Sequence, residues 1–406
     1  MSNLREQTQT EAYTALVESG YKGTVILPTG VGKSKVGIMA LRDLIEQHNS
    51  SVLIIVPRVN LKDHWLDEFA KWGVDSTNVT IQCINTAAKD VAMYDVVLVD
   101  EAHRSLSTVF RQVYTNLRYK YLICLTATEP RELEYRSKLY EYAPLVYRKT
   151  LNDALEMDSV SEFSLYNVGV NLSKDAAAKY NVFNKQFTEG LLGLSSLRNH
   201  VPYLRESFAS AFDIARYFVK SNVIPTEVFH IYQDLLRYSK AFWSGMTLRK
   251  SVLYNNAAKI DAVKQILTKW STKKWIIFTK TIKMAEQLKE AWPSSRIYHS
   301  KLKTAERETV LSDYSEGKFN VLISVDALNE GFNVENVDCG MTVSGSSTEL
   351  EQIQRLGRCI RKQAGKVALF INLYSIGTQE EKWVRKRTEN INNVKWSLLP
   401  QFLHML

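Results

Sequence analysis

At 406 residues the chain is long enough for two domains with cores of their own and for a third, smaller one. Its 45% hydrophobic and 23% charged residues are those of an ordinary globular protein, and no run is apolar for long enough to cross a bilayer. A net charge of +9 favours a polyanionic partner such as nucleic acid, although an excess of basic side chains on a solvated face gives the same total.

In chain order, the polar start over 1–14 reads as a helix without the apolar segment of a secretion signal, which places the protein in the cytoplasm. Cys83, Cys124, Cys339 and Cys359 are far apart, form no Cys-x-x-Cys pair and sit in or beside apolar runs. Buried thiols are therefore expected, rather than disulfides or zinc ligands. From Val25 to Ala127, β-branched runs alternate with amphipathic helical stretches, the signature of a parallel sheet flanked by helices. The spacing predicts strands at 24–27, 51–56, 79–84, 96–99 and 121–125. Ligands of such sheets sit beyond the carboxyl ends of the strands, where Gly30, Pro57, Asp100 and Thr126 fall. An edge strand is expected at 163–170, followed by helices over 173–255. A second alternating block has strands at 275–279, 296–299, 321–325, 340–343 and 367–373. The expected fold class is α/β, two parallel-sheet domains in tandem with a helical insertion between them: 1–149, 150–255 and 256–406.

Three stretches carry chemistry. The turn after the first strand, Thr29-Gly30-Val31-Gly32-Lys33-Ser34, leads into a helix. Glycines let successive backbone N–H groups point inward, the helix N-terminus attracts an anion, Lys33 supplies a mobile charge and Ser34 a hydroxyl for magnesium. The full phosphate-loop pattern wants a glycine where Leu27 stands, and an ordinary turn with an exposed lysine would also fit. Asp100-Glu101-Ala102-His103 follows a buried strand, so Asp100 can face the loop and hold magnesium while Glu101 orients and deprotonates water. Taken alone the same residues fit an acidic helix cap. In the second block, Arg358 and Arg361 lie three apart on one helical face, suited to a γ-phosphate or to solvent.

Together these stretches resemble a known family. Thr29 to Ser34, Asp100 to His103, Thr126-Ala-Thr128 and Gln354-Arg-x-x-Gly-Arg-x-x-Arg361, in that order, look like motifs I, II, III and VI of the superfamily-two helicases and translocases. The resemblance implies two RecA-like domains with ATP and Mg2+ in the cleft between them. It makes Lys33, Asp100, Glu101, Arg358 and Arg361 catalytic, with Ser34 and Asp100 on the metal. It assigns Gln9 (the best match to the adenine-reading glutamine, with Gln7 the rival), Thr29, Gly30, Val31, Gly32, Lys33, Ser34, Gly331 and Asn333 to ATP. His103, Thr126, Thr128, Gln354 and Arg355 would couple the cleft to the strand-binding surface. Pro57 and Arg58 of motif Ia, Thr279 and Lys280 of motif IV and Ser324 of motif V would meet DNA. Motif V departs from the usual Gly-x-Asp-x-Pro, since Asn333 stands at the aspartate.

The helical middle and His103 resemble the DNA translocase branch that includes restriction-enzyme motors, XPB-like and UvsW-like proteins, rather than the RNA-unwinding DEAD-box enzymes. The expected function is an ATP-dependent DNA helicase acting on branched, forked or single-stranded DNA. The alternative is a motor subunit of a restriction or defence complex with further protein subunits; neither involves a membrane. The short stretch ahead of the phosphate loop leaves no room for the N-terminal domain of UvsW, so a strand-separating wedge is expected from the helical middle or the second domain. Aromatics interleaved with Lys240, Arg249 and Lys250 there fit either a base-stacking platform with phosphate contacts or a helical core with a solvated face.

Overall fold

The computed structural model describes residues 3–28, 30–107, 109–130, 132–156, 163–221, 223–325, 337–359 and 368–405. Each of its two sheets is parallel throughout. The first contains β1 (Lys22–Ile26), β2 (Val52–Val56), β3 (Val79–Cys83), β4 (Met93–Asp100), β5 (Arg118–Thr126) and β6 (Leu145–Arg148), in the spatial order β3-β2-β4-β5-β1-β6. Val52–Val56 and Val96–Val99 are buried along their whole length, as a sheet covered on both faces requires. Because β5 lies between β4 and β1, the carboxyl ends of these three strands are neighbours although they are far apart in sequence.

The helix Lys33–His48 covers one face. It buries Val36, Ile38, Ala40, Leu41 and Leu44, a stripe with helical spacing, and ends at Asn49 in the left-handed conformation. Gly37 is the point of closest approach. A Cβ there would stand 2.8 Å from the Trp65 ring, so the helix Asn60–Trp72 packs directly on it.

The second sheet contains β7 (Phe163–Val170), β8 (Trp275–Thr279), β9 (Arg296–His299), β10 (Val321–Val325), β11 (Cys339–Thr342), β12 (Ala368–Ser375) and β13 (Val394–Leu398), in the order β13-β7-β12-β11-β8-β10-β9. One expectation is corrected here: β7 is not an edge strand, for it pairs with β12 on one side and β13 on the other. Alternate residues of β8 serve the two faces, Trp275 and Ile277 packing in one cluster and Ile276 and Phe278 in the other.

The helical block spans Lys174–His200, Pro202–Ser207, Ala211–Lys220 and Tyr232–Tyr254, with Ser173 and Ser210 capping two of these helices. Its two long helices cross where side chains are missing. A Cβ on Gly190 would meet the backbone of Phe242 at 2.3 Å, and one on Gly245 that of Phe187 at 2.5 Å. The aromatics fill the block's own core, Phe187 on Phe242 and Phe208 on Tyr217 and Phe218. Arg249 is buried, its guanidinium on Asn184 Oδ1 at 2.8 Å and over the Phe187 ring, whereas Lys240 is exposed. The core reading thus holds for most of these rings, and Arg249 serves packing.

Cys124 and Cys339 are buried and Cys83 is half-buried; burial pushes the Cys124 thiol up to about 12. No described helix is long and apolar enough to cross a membrane.

Inside the second sheet Lys259 and Glu380 form an ion pair closed to solvent. The ammonium reaches both carboxylate oxygens at 2.7 Å and the carbonyls of Val343 and Leu253, and Glu380 also accepts from the Ser375 backbone. Removing one partner strands a buried charge. Lys259→Ala should lower stability by about 3–5 kcal/mol in urea unfolding, and the double variant Lys259→Met/Glu380→Leu should recover most of it.

Candidate nucleotide site

The neighbouring ends of β1, β5 and β4 gather the motifs at one edge of the first sheet. After β1 the chain turns through Gly30 and Gly32, at φ of 99° and 100°, a conformation that L side chains rarely adopt. Gly32 caps the helix Lys33–His48, whose first backbone N–H groups are directed into the turn. Space is also short there: a Cβ on Gly32 would stand 2.5 Å from the Gln9 amide nitrogen.

Gln9 is buried and donates from Nε2 to the Val31 carbonyl at 2.6 Å, while its Oε1 has no hydrogen-bond partner among the described residues. Arg5 donates to the same carbonyl at 3.1 Å. Gln7 is exposed and bonds to Glu11. Of the two glutamines weighed from sequence, Gln9 is the one against the loop. Arg5 was given no part in the site from sequence.

Lys33 Nζ lies 3.3 Å from Glu101 Oε1, with both side chains largely enclosed. Glu101 has a positive φ of 50°, uncommon outside glycine and a local strain at the head of the short helix Ala102–Arg104. Its second oxygen accepts no hydrogen bond among the described residues and is 3.4 Å from His103 Nδ1. Burial alone would raise the Glu101 carboxyl, but Lys33 and His103 more than offset it, so Glu101 stays below the ordinary carboxylate range. Asp100 next to it is raised, first by burial and then by the Glu101 charge. Its oxygens accept from Trp65 Nε1 at 3.1 Å and from the Glu101 backbone N–H at 2.9 Å.

His103 Nδ1 is 3.0 Å from the Thr126 hydroxyl, which donates to the Thr128 carbonyl at 2.9 Å. The second and third motifs are thus joined by one chain of bonds. Ser34 Oγ is 3.1 Å from His64 Nε2. Neither His64 nor Trp65 was assigned a part in the nucleotide site from sequence.

At the loop after β2, Pro57 is half-buried and Arg58 exposed. In the second sheet Thr279 and Ser324 are closed to solvent, Thr279 with its hydroxyl on Ser344, so these side chains belong to the sheet interior. Lys280 is half-buried, its backbone N–H on Ser344 Oγ. Gln354 and Arg355 are buried on the helix Glu349–Cys359, with the Arg355 guanidinium 5.1 Å from the Phe278 ring. Thr29, Gly331, Asn333, Arg361 and the side chain of Arg358 lie outside the described residues. Among the described residues no cluster of three or more His, Cys, Asp or Glu could hold a metal by itself.

Two family models match. That described as "Type III restriction enzyme, res subunit" covers residues 3–131, and that described as "Helicase conserved C-terminal domain" covers 258–363. The DNA 3'-5' translocase XPB2 of Sulfurisphaera tokodaii is 24% identical over 400 residues, 94% of this chain and 84% of that protein. Among solved structures, Saccharomyces cerevisiae Dbp5 bound to RNA and ADP BeF3 aligns with a TM-score of 0.61 at 14% identity, covering 98% of this chain and 91% of that one. The ATP-dependent Type ISP restriction-modification enzyme LlaBIII bound to DNA aligns with a TM-score of 0.59 at 13% identity, covering 96% of this chain and 31% of that one. At such identities the structural matches speak for the fold alone.

Enclosure holds the His103 imidazole down at about 4, against an ordinary value near 6.5. The unfolded chain therefore takes up this proton first as pH falls, so the stability due to His103 is complete above about pH 6.5 and is lost towards pH 4. His103→Gln should show a shallower fall in urea-unfolding free energy between pH 7 and 4.5, by up to about 3 kcal/mol.

Proposed function

Because the chain is a superfamily-two helicase with two RecA-like domains, an ATP-dependent DNA translocase by family, we propose that it uses the Lys33–Glu101 site to hydrolyse ATP and so remodels branched or forked DNA. The observation that carries the site reading is the ammonium of Lys33 held 3.3 Å from a carboxylate whose other oxygen accepts no hydrogen bond among the described residues, at the mouth of a loop built on two left-handed glycines.

In this reading the loop N–H groups and Lys33 bind the phosphates. When Lys33 turns to them, Glu101 loses the strongest interaction that keeps its carboxyl low, its basicity rises, and Oε2 is available to orient water and accept its proton. Asp100 suits a divalent cation, because among the described residues its oxygens accept from two neutral donors, and burial with the Glu101 charge raises its carboxyl although Lys33 opposes the rise. Asp100 and Ser34 would hold Mg2+, which supplies neutralisation of phosphate charge. The bonds His103–Thr126–Thr128 connect the water-orienting residue to the strand-end turn and provide a route by which the phosphate state reaches the rest of the domain. Arg358 and Arg361 would complete the site from the second domain, as paired guanidiniums spreading charge over the transferred phosphoryl group.

The match to a restriction-subunit model favours a second reading, a motor that tows another subunit along duplex DNA. ATP turnover and strand separation by the purified chain on single strands, blunt duplex, forks, four-way junctions and RNA discriminate the two. Unwinding of forks or junctions by the isolated chain supports remodelling; DNA-stimulated ATPase with no strand separation on any substrate favours the towing motor.

Lys33→Ala should reduce ATP turnover by about two orders of magnitude with DNA affinity retained, and turnover near the parent rate would remove Lys33 from the site. Glu101→Gln should bind nucleotide and stall before cleavage, as a single-turnover assay reads. Binding of a single strand should weaken linearly in log salt, by about 0.7 per phosphate contact.

A further inference from the structure

The helix Asn60–Trp72 touches both side chains read as magnesium ligands. From consecutive positions, His64 Nε2 lies 3.1 Å from Ser34 Oγ and Trp65 Nε1 donates to Asp100 Oδ2 at 3.1 Å. Ser34 and Asp100 come from different elements, the start of the loop helix and the end of β4, so this helix bridges them. It is also fixed to the loop helix along its length. Trp65 is fully buried against Gly37, the Arg42 guanidinium donates to the Trp72 carbonyl at 2.6 Å, and the Lys35 ammonium stands 4.7 Å from the Trp72 ring. At its other end the helix leaves the loop after β2, where Arg58 and Val59 are exposed, Val59 at 69%.

We infer that His64 and Trp65 are positioning residues that orient Ser34 and Asp100 towards the cation, and that the helix carrying them conveys occupancy of the Arg58–Val59 loop by a nucleic-acid strand to the cation site. The inference rests on the reading of Ser34 and Asp100 as magnesium ligands and of Arg58 as a nucleic-acid contact. The chemistry is that of an outer-sphere partner. With the His64 proton on Nδ1, Nε2 accepts the Ser34 hydroxyl hydrogen and leaves an oxygen lone pair for the metal. The Trp65 indole N–H bonds one oxygen of Asp100 and so fixes which lone pairs of the carboxylate face the loop. Because the helix is packed at Gly37 and tied at Trp72, a shift at its exposed end moves His64 and Trp65 together rather than bending between them.

The test measures Mg2+-dependent binding of N-methylanthraniloyl-ADP, a fluorescent probe, with and without a saturating mixed-sequence single strand. Removal of an outer-sphere partner typically costs metal affinity about 10-fold or more. His64→Leu and Trp65→Phe should each raise the half-saturating Mg2+ concentration about 10-fold. His64→Gln, whose amide oxygen can accept from Ser34, should stay near the parent. The strand should lower the Mg2+ requirement of the parent and leave that of His64→Leu/Trp65→Phe unchanged. Urea midpoints identify any variant that does not fold, and His64→Leu against His64→Gln then decides alone. A Mg2+ requirement within twofold of the parent in both single variants overturns the proposal, as does a strand effect that survives in the double variant. Ser34→Ala and Asp100→Asn separate the two levels. If they too leave the requirement unchanged, the ligand reading falls and the proposal with it; if they raise it while the positioning variants are silent, the proposal falls alone.

Discussion

Glu101 is ionised inside the protein because an ammonium stands 3.3 Å from it, and the rest of the first domain is arranged so that this pair can form. Carboxylate and lysine are separated by nearly seventy residues and come from β4 and from the loop after β1. Only an all-parallel sheet in which β5 alone separates β4 from β1 brings those strand ends together. The desolvation of two opposite charges is tolerated because each is the other's partner, and it leaves Asp100, whose carboxyl burial and the Glu101 charge raise against the pull of Lys33, as a group favoured by an added cation.

The second sheet meets the same constraint differently. Among its buried charges, Lys259 closes on Glu380, and Arg387 on the Ser346 carbonyl and on Asn372, which in turn donates to Asn167. These groups tie the helix Gln379–Thr388 to β7, β11 and β12, and Arg387 also braces the turn at Gly345 that leads towards the helix Glu349–Cys359. One sheet therefore keeps its charges reachable at an edge and the other locks them inside.

Much of this was legible in the sequence. Strands buried on both faces, such as Val52–Val56 and Trp275–Thr279, announce themselves by unbroken apolar runs, and the glycine turn and Asp100-Glu101 by residue types with few other uses. Two of the outermost strands, β6 and β13, were not seen, because they are short and their residues are half-exposed or exposed. β7 was found but placed at an edge, since pairing with β12 and β13 depends on residues some two hundred positions later. His64 and Trp65 escaped for a related reason. On a helix wheel they read as a polar and an apolar position, and nothing local says that both face the ends of other elements. Arg249 reads as a surface charge and is spent on Asn184 and Phe187.

The helical block leaves the second sheet and returns to it at nearly the same place. Val170, the last residue of β7, accepts from the Ile376 backbone, and Asn256, just after the block, bonds the neighbouring Ser375. Tyr180 adds one tether to the backbone of Gln379. A segment whose two roots adjoin in this way interrupts no strand pairing, so it can be lengthened, exchanged or excised without changing the sheet's register. Diversification of this scaffold towards new substrates is thus least constrained at that graft, while the nucleotide machinery stays as it is.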